Sequence, residues 1–442
     1  MAELYWMALC RDVPFPLYGN DPLTNAAAVN LATMDGYFDP TYDVPLTPEG
    51  GIDPLRHLFR TSYVGVDKGP MVSQLLVKSF TIDSIEVEPK QTTFVPDKDY
   101  MTDYDNWLYI QARDYRHCDK KDGIPRYIRN ARDLSRLSVT DTAYSATFRA
   151  AKIILGDGKV SEDGINGPYT NSKRDSGFVT FGSSHLFEKI GAAEYVLRIS
   201  WYLKWNVHRL LRPEAYGGLL HHTMTGIKSY PIHPSILNNH ELMERVAKRN
   251  EYQNIVHGRG GAPTYLLSQS VREGSPIHPS FPAAHSVGNG AYITVLKAFV
   301  GLERGMHCVS NPVVPSDDGL ILVPYSPSPD EECVGPDGEI TNGLTYEGEL
   351  NKLASNIAFG RSMLGVHYRC DNTEGLITGE IAGIRLLQQE LPGLGEAYVP
   401  DNPSASYMFR LFRGKILNIY SDGSYSIGDG PICYGSYHPR GC

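Results

Sequence analysis

The chain has no uninterrupted apolar run of 18 residues, no block of lysine and arginine, no Cys-x-x-Cys pair and no repeat or low-complexity tract. Each gap removes a class of protein. Without the long apolar run there is no candidate membrane-spanning helix. The start Met1-Ala2-Glu3-Leu4-Tyr5 lacks the basic and then apolar pattern of a signal peptide, so the chain reads as soluble. A formal net charge of -9, with no basic block, excludes a general nucleic-acid surface and requires any basic site to be local. The cysteines, Cys10, Cys118, Cys308, Cys333, Cys370, Cys433 and Cys442, are too widely spaced for a zinc cluster, and an odd count defines no closed disulfide framework. Cys308 with Cys333 is a pair that an oxidising compartment would permit.

What is present is mostly helical. The length of 442 residues suits a sizeable core, and the motifs point to one compact unit with three parts. Residues 1–137 form an N-terminal helical and loop region with a short β-ribbon at 80–87. Residues 138–400 form a helical core, interrupted at 306–345 by a Pro-, Gly- and Asp-rich insertion with a hairpin at 319–323. Residues 401–442 carry a small β-meander. Apolar runs predict a buried helix at 3–9, a short one at 25–31, and longer ones at 143–155, 186–211, 347–363 and 373–390. The helix over 186–211 is expected to end at Arg212-Pro213, because a residue before proline is pushed out of the helical region.

Three segments set cations and histidines in apolar surroundings. In Pro276-Ile277-His278-Pro279-Ser280-Phe281-Pro282-Ala283-Ala284-His285-Ser286, three prolines exclude a helix until the apolar run that follows. His285 therefore falls at a loop-to-helix junction, where unpaired N–H groups favour an anion. In the second segment Lys204 and Arg212 are eight residues apart, about 80° around an ideal helix, so both can lean into one pocket; a solvated basic face is the plain alternative. In the third, Gly365 is placed to end the helix carrying Arg361, which lets Arg361 and His367 converge. Asp371 can then accept from His367 and orient its ring.

The order Lys-x7-Arg-Pro, Pro-Ala-Ala-His and Arg-x5-His-x3-Asp resembles the signature of vanadium-dependent haloperoxidases and type-2 phosphatidic acid phosphatases. The seven-residue spacing, with Trp-Asn-Val-His-Arg-Leu-Leu-Arg-Pro-Glu-Ala around it, resembles the algal and cyanobacterial bromoperoxidase branch. That resemblance implies a haloperoxidase-like fold of two four-helix bundles holding vanadate. It makes His367 the vanadium ligand and gives Lys204, Arg212, Arg361 and the Ala284 N–H to the vanadate oxygens. His285 becomes the acid/base group, and His278 matches the histidine of bromoperoxidases. Trp201, three residues before Lys204, either lines the halide entrance or is core. Hydrogen peroxide, bromide or iodide and a small organic acceptor are the implied partners, with no nucleic acid and no membrane span. A homo-oligomer of between two and twelve subunits and a structural calcium of unnamed ligands are also implied.

One departure stands out: the family usually has Ser-Gly before the catalytic histidine, and here Ala283-Ala284 removes a hydroxyl donor. Two rival readings follow from the same pocket. One is a phosphatase in which His367 attacks phosphorus, and the other a non-catalytic oxyanion-binding relative.

Overall fold

The computed structural model describes residues 1–112, 120–140, 144–157, 169, 172–301, 307–335, 339–394 and 406–428. Its helices are α1 (Ala2–Leu9), α2 (Pro22–Ala32), α3 (Gln74–Val77), α4 (Tyr104–Gln111), α5 (Ala131–Thr140), α6 (Ser145–Gly156) and α7 (Ser183–Ala192). They continue as α8 (Leu197–Tyr202), α9 (Pro213–Met224), α10 (Pro234–Leu237), α11 (His240–Val256), α12 (Ala284–Val300), α13 (Tyr346–Leu364) and α14 (Arg369–Glu390). The strands are short antiparallel pairs: β1 (Phe80–Ile82) with β2 (Ile85–Val87), β3 (Val313–Pro315) with β4 (Leu322–Pro324), and β5 (Glu332–Val334) with β6 (Ile340–Asn342). A three-stranded meander of β7 (Tyr407–Arg410), β8 (Ile416–Ile419) and β9 (Tyr425–Gly428) follows. This is the mainly α architecture with small hairpins that the sequence predicts. Ala143, Cys118, Cys433 and Cys442 lie outside the described residues.

The helices that carry the site are central. Every residue of α13 is buried, and so is α12 from Ser286 onward. A helix covered on all sides belongs to an interior, and α12, α13 and α14 pack on one another there. α5 closes on α13, while α6, α7 and α8 pack on α12. The crossing of α12 and α14 depends on glycine: a Cβ at Gly290 would sit 2.2 Å from the Leu376 carbonyl, and one at Gly379 2.0 Å from that of Val287. The main apolar cluster runs from α1 to β8. Among the described residues no helix is long and apolar enough to cross a membrane.

Local signals explain most boundaries. Asp21 caps α2 by accepting from the N–H groups of Leu23 and Thr24, with Pro22 in the first turn. Thr345 caps α13, and Gly365, at φ +101°, ends it in the left-handed conformation. α14 begins at Arg369, four residues earlier than expected, because Tyr368 and Asp371 form a capping pair at its start. The hairpin predicted at 319–323 is present, its strands flanking a turn at Gly319. Cys308 and Cys333 are bonded within the insertion.

The helix expected over 186–211 is not continuous. After α7 the chain tightens to a 3-10 turn at Ala193–Val196, runs through α8, then widens to a π-helix over Leu203–His208. Arg209 takes a left-handed conformation at φ 46°, and Arg212 is extended before Pro213. The reason is tertiary. Trp201, Tyr202, Trp205 and Val207 are exposed, so no packed stripe holds ordinary helical geometry. Lys204 meanwhile turns inward to donate to the carbonyls of Pro279 and Ser280. A single-turn π segment is a common way to re-aim one side chain at a functional site.

Candidate active site

Arg212 joins all three segments. Its Nε donates to the His278 carbonyl at 2.8 Å and its Nη1 to that of Val366 at 2.8 Å. Nη1 also lies 3.0 Å from His367 Nε2, and Nη2 lies 3.1 Å from His278 Nδ1. A guanidinium can only donate, so His367 Nε2 is an acceptor, whereas His278 Nδ1 is shared between Arg212 and the Pro279 carbonyl at 3.2 Å. His367 is therefore protonated on Nδ1, which donates to Asp371 Oδ2 at 2.8 Å. That carboxylate also accepts from the Tyr368 N–H at 3.0 Å and from the Ser280 hydroxyl. The result is an imidazole held in one tautomer, its Nε2 lone pair turned into the pocket.

The other cations surround this nitrogen. Lys204 is fully buried, and its ammonium bonds to Pro279 O at 2.8 Å and Ser280 O at 2.7 Å. Arg361, 6% exposed, donates from Nη1 to Ser138 O at 3.3 Å, and its buried Nε has no hydrogen-bond partner among the described residues. His285 stands on the first turn of α12, where Ala283 is the N-cap and the opening N–H groups, Ala284 among them, have no partner within the helix. Trp201 packs on His278 with ring centres 4.6 Å apart and is about half exposed, so it is not a core residue.

Burial and mutual repulsion act on Lys204, Arg361 and the histidines. Burial, reinforced by Arg212, lowers Lys204 to about 7 and Arg361 to about 10. His278 and His285 fall to about 3, through burial first and then Arg212 for His278 and Arg361 for His285. His367 is lowered for the same reasons. Burial raises Asp371 to about 6, against its hydrogen bonds from Ser280 and Tyr368. Lys204 and Arg212 thus act on one buried carboxylate, Asp371, while Arg361 is opposed by the exposed Glu273. Such a pocket is built for an anion of more than one negative charge.

Similarity to known proteins agrees. The chain is 48% identical over 437 residues to a vanadium-dependent bromoperoxidase of Ascophyllum nodosum, covering 98% of this chain and 73% of that one. It is 31% identical over 444 residues to a vanadium-dependent bromoperoxidase of Corallina pilulifera, covering 90% and 71%. Among solved structures, the homohexameric second vanadate-dependent bromoperoxidase of Ascophyllum nodosum matches with a TM-score of 0.91 at 44% identity, covering 96% of this chain and 71% of that one. No family model matches. The chain belongs to the vanadium-dependent bromoperoxidases.

Membership in the bromoperoxidases makes the protein an enzyme, a vanadate-dependent haloperoxidase. The residues fit vanadate by their own chemistry: a lone pair on a fixed imidazole, three cations with too little counter-charge, and an unpartnered buried guanidinium N–H. The solvated basic face considered for Lys204 and Arg212 is excluded, since both are buried. Their convergence does not come from a shared helix, because Arg212 lies beyond the π turn in extended backbone. Sequence reasoning passed over Ser280, whose hydroxyl bonds to Asp371. Its place between Pro279 and Phe281, in a loop barred from helix, was the available signal. Ala283 is buried, and its N–H is spent on the Asp371 carbonyl.

Among the described residues, His185, Glu188 and Glu390 stand close enough to share an ion. His185 accepts the Phe181 N–H on Nδ1 and bonds Glu390 through Nε2, and Lys189 pairs with both glutamates. Lys189 offsets one of the two carboxylates, and the cluster gives no specific support for calcium.

Proposed function

We propose that the enzyme oxidises bromide, and iodide more easily, with hydrogen peroxide, and passes the oxidised halogen to small organic acceptors. Vanadate would be held through His367 Nε2, with Lys204, Arg212, Arg361 and the Ala284 N–H around its oxygens. When bound, it supplies a Lewis acid that makes peroxide electrophilic toward halide without a change of oxidation state. The observation that carries this reading is the fixed tautomer: with Nδ1–H committed to Asp371, Nε2 carries the lone pair, which Arg212 Nη1 now faces and which a bound metal would take over.

The protein's own groups then divide the work. Arg212 and Arg361 give forked, directional N–H donors suited to oxygens, and Lys204 adds a point charge anchored on two carbonyls. His285, neutral in its lowered state, takes a proton from entering peroxide and returns it to the leaving oxygen. His278, held by Arg212 and packed at a tilt against Trp201, would line the approach side toward the halide. The homohexameric relative supports assembly of this chain into a closed homo-oligomer.

The test is reconstitution of purified protein with orthovanadate, following bromination of a phenolic dye by peroxide and bromide. Activity that requires vanadate and is lost, by about three orders of magnitude or more, in His367→Ala is the expected result. Phosphate-ester turnover without vanadate, lost in the same variant, would favour the phosphatase, and neither activity would favour a binding protein. For the implied structural calcium, chelator dialysis decides: a lowered unfolding midpoint restored by calcium supports it, and an unchanged midpoint removes it.

A further inference from the structure

Three residues that touch neither another site residue's ring nor its charged group each follow a site residue by one position. Ser286 follows His285, Ser362 follows Arg361, and Asn372 follows Asp371. All three are buried, at 0%, 1% and 0% exposure. They form one hydrogen-bonded line behind the pocket. The Ser286 hydroxyl donates to Asn372 Oδ1 at 3.0 Å, Asn372 Nδ2 donates to Ser362 Oγ at 2.7 Å, and Ser362 Oγ donates to the His367 carbonyl at 2.8 Å. The order of donors is forced. The proton of Ser362 is committed to a carbonyl, so its oxygen can only accept, the Asn372 amide must face it with NH2, and the amide oxygen is left for Ser286.

We propose that Asn372 is a positioning residue of this active site, which with Ser286 and Ser362 keeps the start of α12 in register with the corner between α13 and α14. The proposal rests on the vanadate reading above. The line starts one residue from the acid/base histidine, passes one residue from Arg361 and ends on the backbone of the vanadium-ligating histidine. It is a chemical relay as well as a tether, because only a side chain that accepts at one end and donates at the other can bridge two hydroxyls in this order. Aspartate lacks the donor and leucine lacks both. The neighbouring packing leaves no slack: a Cβ at Gly375 would stand 2.7 Å from Ser286 Cβ. The line also bears on the missing hydroxyl at 283. Where the family resemblance expects a serine to reach the anion, this chain has a buried methyl at Ala283 and places its hydroxyl at Ser286, behind the pocket. Donation from the α12 side then falls to backbone N–H groups, whose aim depends on where that helix begins.

The experiment measures the dissociation constant of orthovanadate by equilibrium dialysis of the full chain, with the unfolding midpoint recorded in parallel. Asn372→Leu, and Ser362→Ala at the ligand end, are expected to weaken vanadate binding about 10- to 100-fold, as changes behind a metal ligand commonly do. Ser286→Ala, at the acid/base end, is expected to lower kcat for bromide oxidation more than it raises the dissociation constant. The double variant Ser286→Ala with Ser362→Ala should lose less than the product of the single losses, because one relay is broken in each. A lowered unfolding midpoint with a dissociation constant within about two-fold of the unsubstituted protein, in Asn372→Leu and in both serine variants, would overturn the proposal. Should Asn372→Leu not fold, the two serine variants decide alone. Failure of the unsubstituted protein to bind orthovanadate would overturn the functional reading together with this one, whereas binding there with unaffected variants overturns only the relay.

Discussion

Asp99 and Asp371 are both buried aspartates set among cations, three around Asp99 and two around Asp371, and their surroundings act in opposite directions. Around Asp99 stand Arg11, Arg132 and Arg249, and two further carboxylates complete the cluster: Asp12 pairs with Arg132, and Asp97 with Arg249. Burial works to raise Asp99, but the three guanidiniums overcome it and hold the carboxyl well below its usual range. Arg132 and Arg249 are raised in turn, and only in Arg11 does burial win. Around Asp371 the cations bond to carbonyls and to histidine nitrogens, and Lys204 and Arg361 are both lowered. The first cluster balances its charges and serves the fold. The second leaves positive charge uncompensated, which is what a site for an anion needs and what a purely structural cluster avoids.

The largest expected effect breaks the balanced cluster. Asp99→Ala leaves two buried guanidiniums, Arg11 and Arg132, and the part-exposed Arg249 without their shared carboxylate and should cost about 3–5 kcal/mol in denaturant unfolding. Lys204→Met should do the reverse in kind. It removes a cation already penalised by burial, so the vanadate-free protein loses much less stability than in Asp99→Ala. Vanadate affinity should fall about 10- to 100-fold for the loss of one charge-assisted hydrogen bond of roughly 1.5–3 kcal/mol. A large stability loss with unchanged affinity would mean that Lys204 belongs with the structural charges.

A third difference is the pH window. Lys204 titrates at about 7 in the vanadate-free protein, and a bound anion favours its charged form. Affinity should therefore be indifferent to this group below pH 7 and fall as pH rises above it, by up to about ten-fold per unit. The Lys204→Met variant, measured alongside, should lack that step. His278 and His285 give the opposite limb of stability. Their folded values near 3 lie below the ordinary histidine value, so the unfolded chain takes up protons first. Stability of the vanadate-free protein should drop as pH falls from about 6.5 toward 3. Asp99 adds to that loss from about pH 4 downward, where the unfolded chain's aspartate takes up a proton while the folded one stays ionised. The smallest effect is Ala283→Ser. A restored hydroxyl should tighten orthovanadate binding roughly ten-fold, worth about 1.5 kcal/mol, and no change would show that position 283 does not face the anion.

How much of this was readable in advance depends on the range of the cause. The helix stop at Gly365 was legible because glycine tolerates a left-handed backbone. The junction at His285 was legible because prolines 276, 279 and 282 bar a helix before it. The pairing of Cys308 with Cys333 was named but not decided, since sequence carries no distance. The π turn at Leu203–His208 had no local signal: no proline or glycine marks it, and its cause is a pair of carbonyls more than seventy residues away.

By itself, then, the order of residues determined the helical class, the chemical types brought to the site and the two helix ends that present Arg361 and His285, because propensities and breakers act over a few residues. Only the tertiary structure decided that Arg212 would lie across His367 Nε2, that Lys204 would be buried uncompensated, and that Ser286, Asn372 and Ser362 would line up behind the pocket. Those outcomes depend on desolvation and hydrogen-bond direction between segments far apart in the chain, and neither quantity exists until the segments meet.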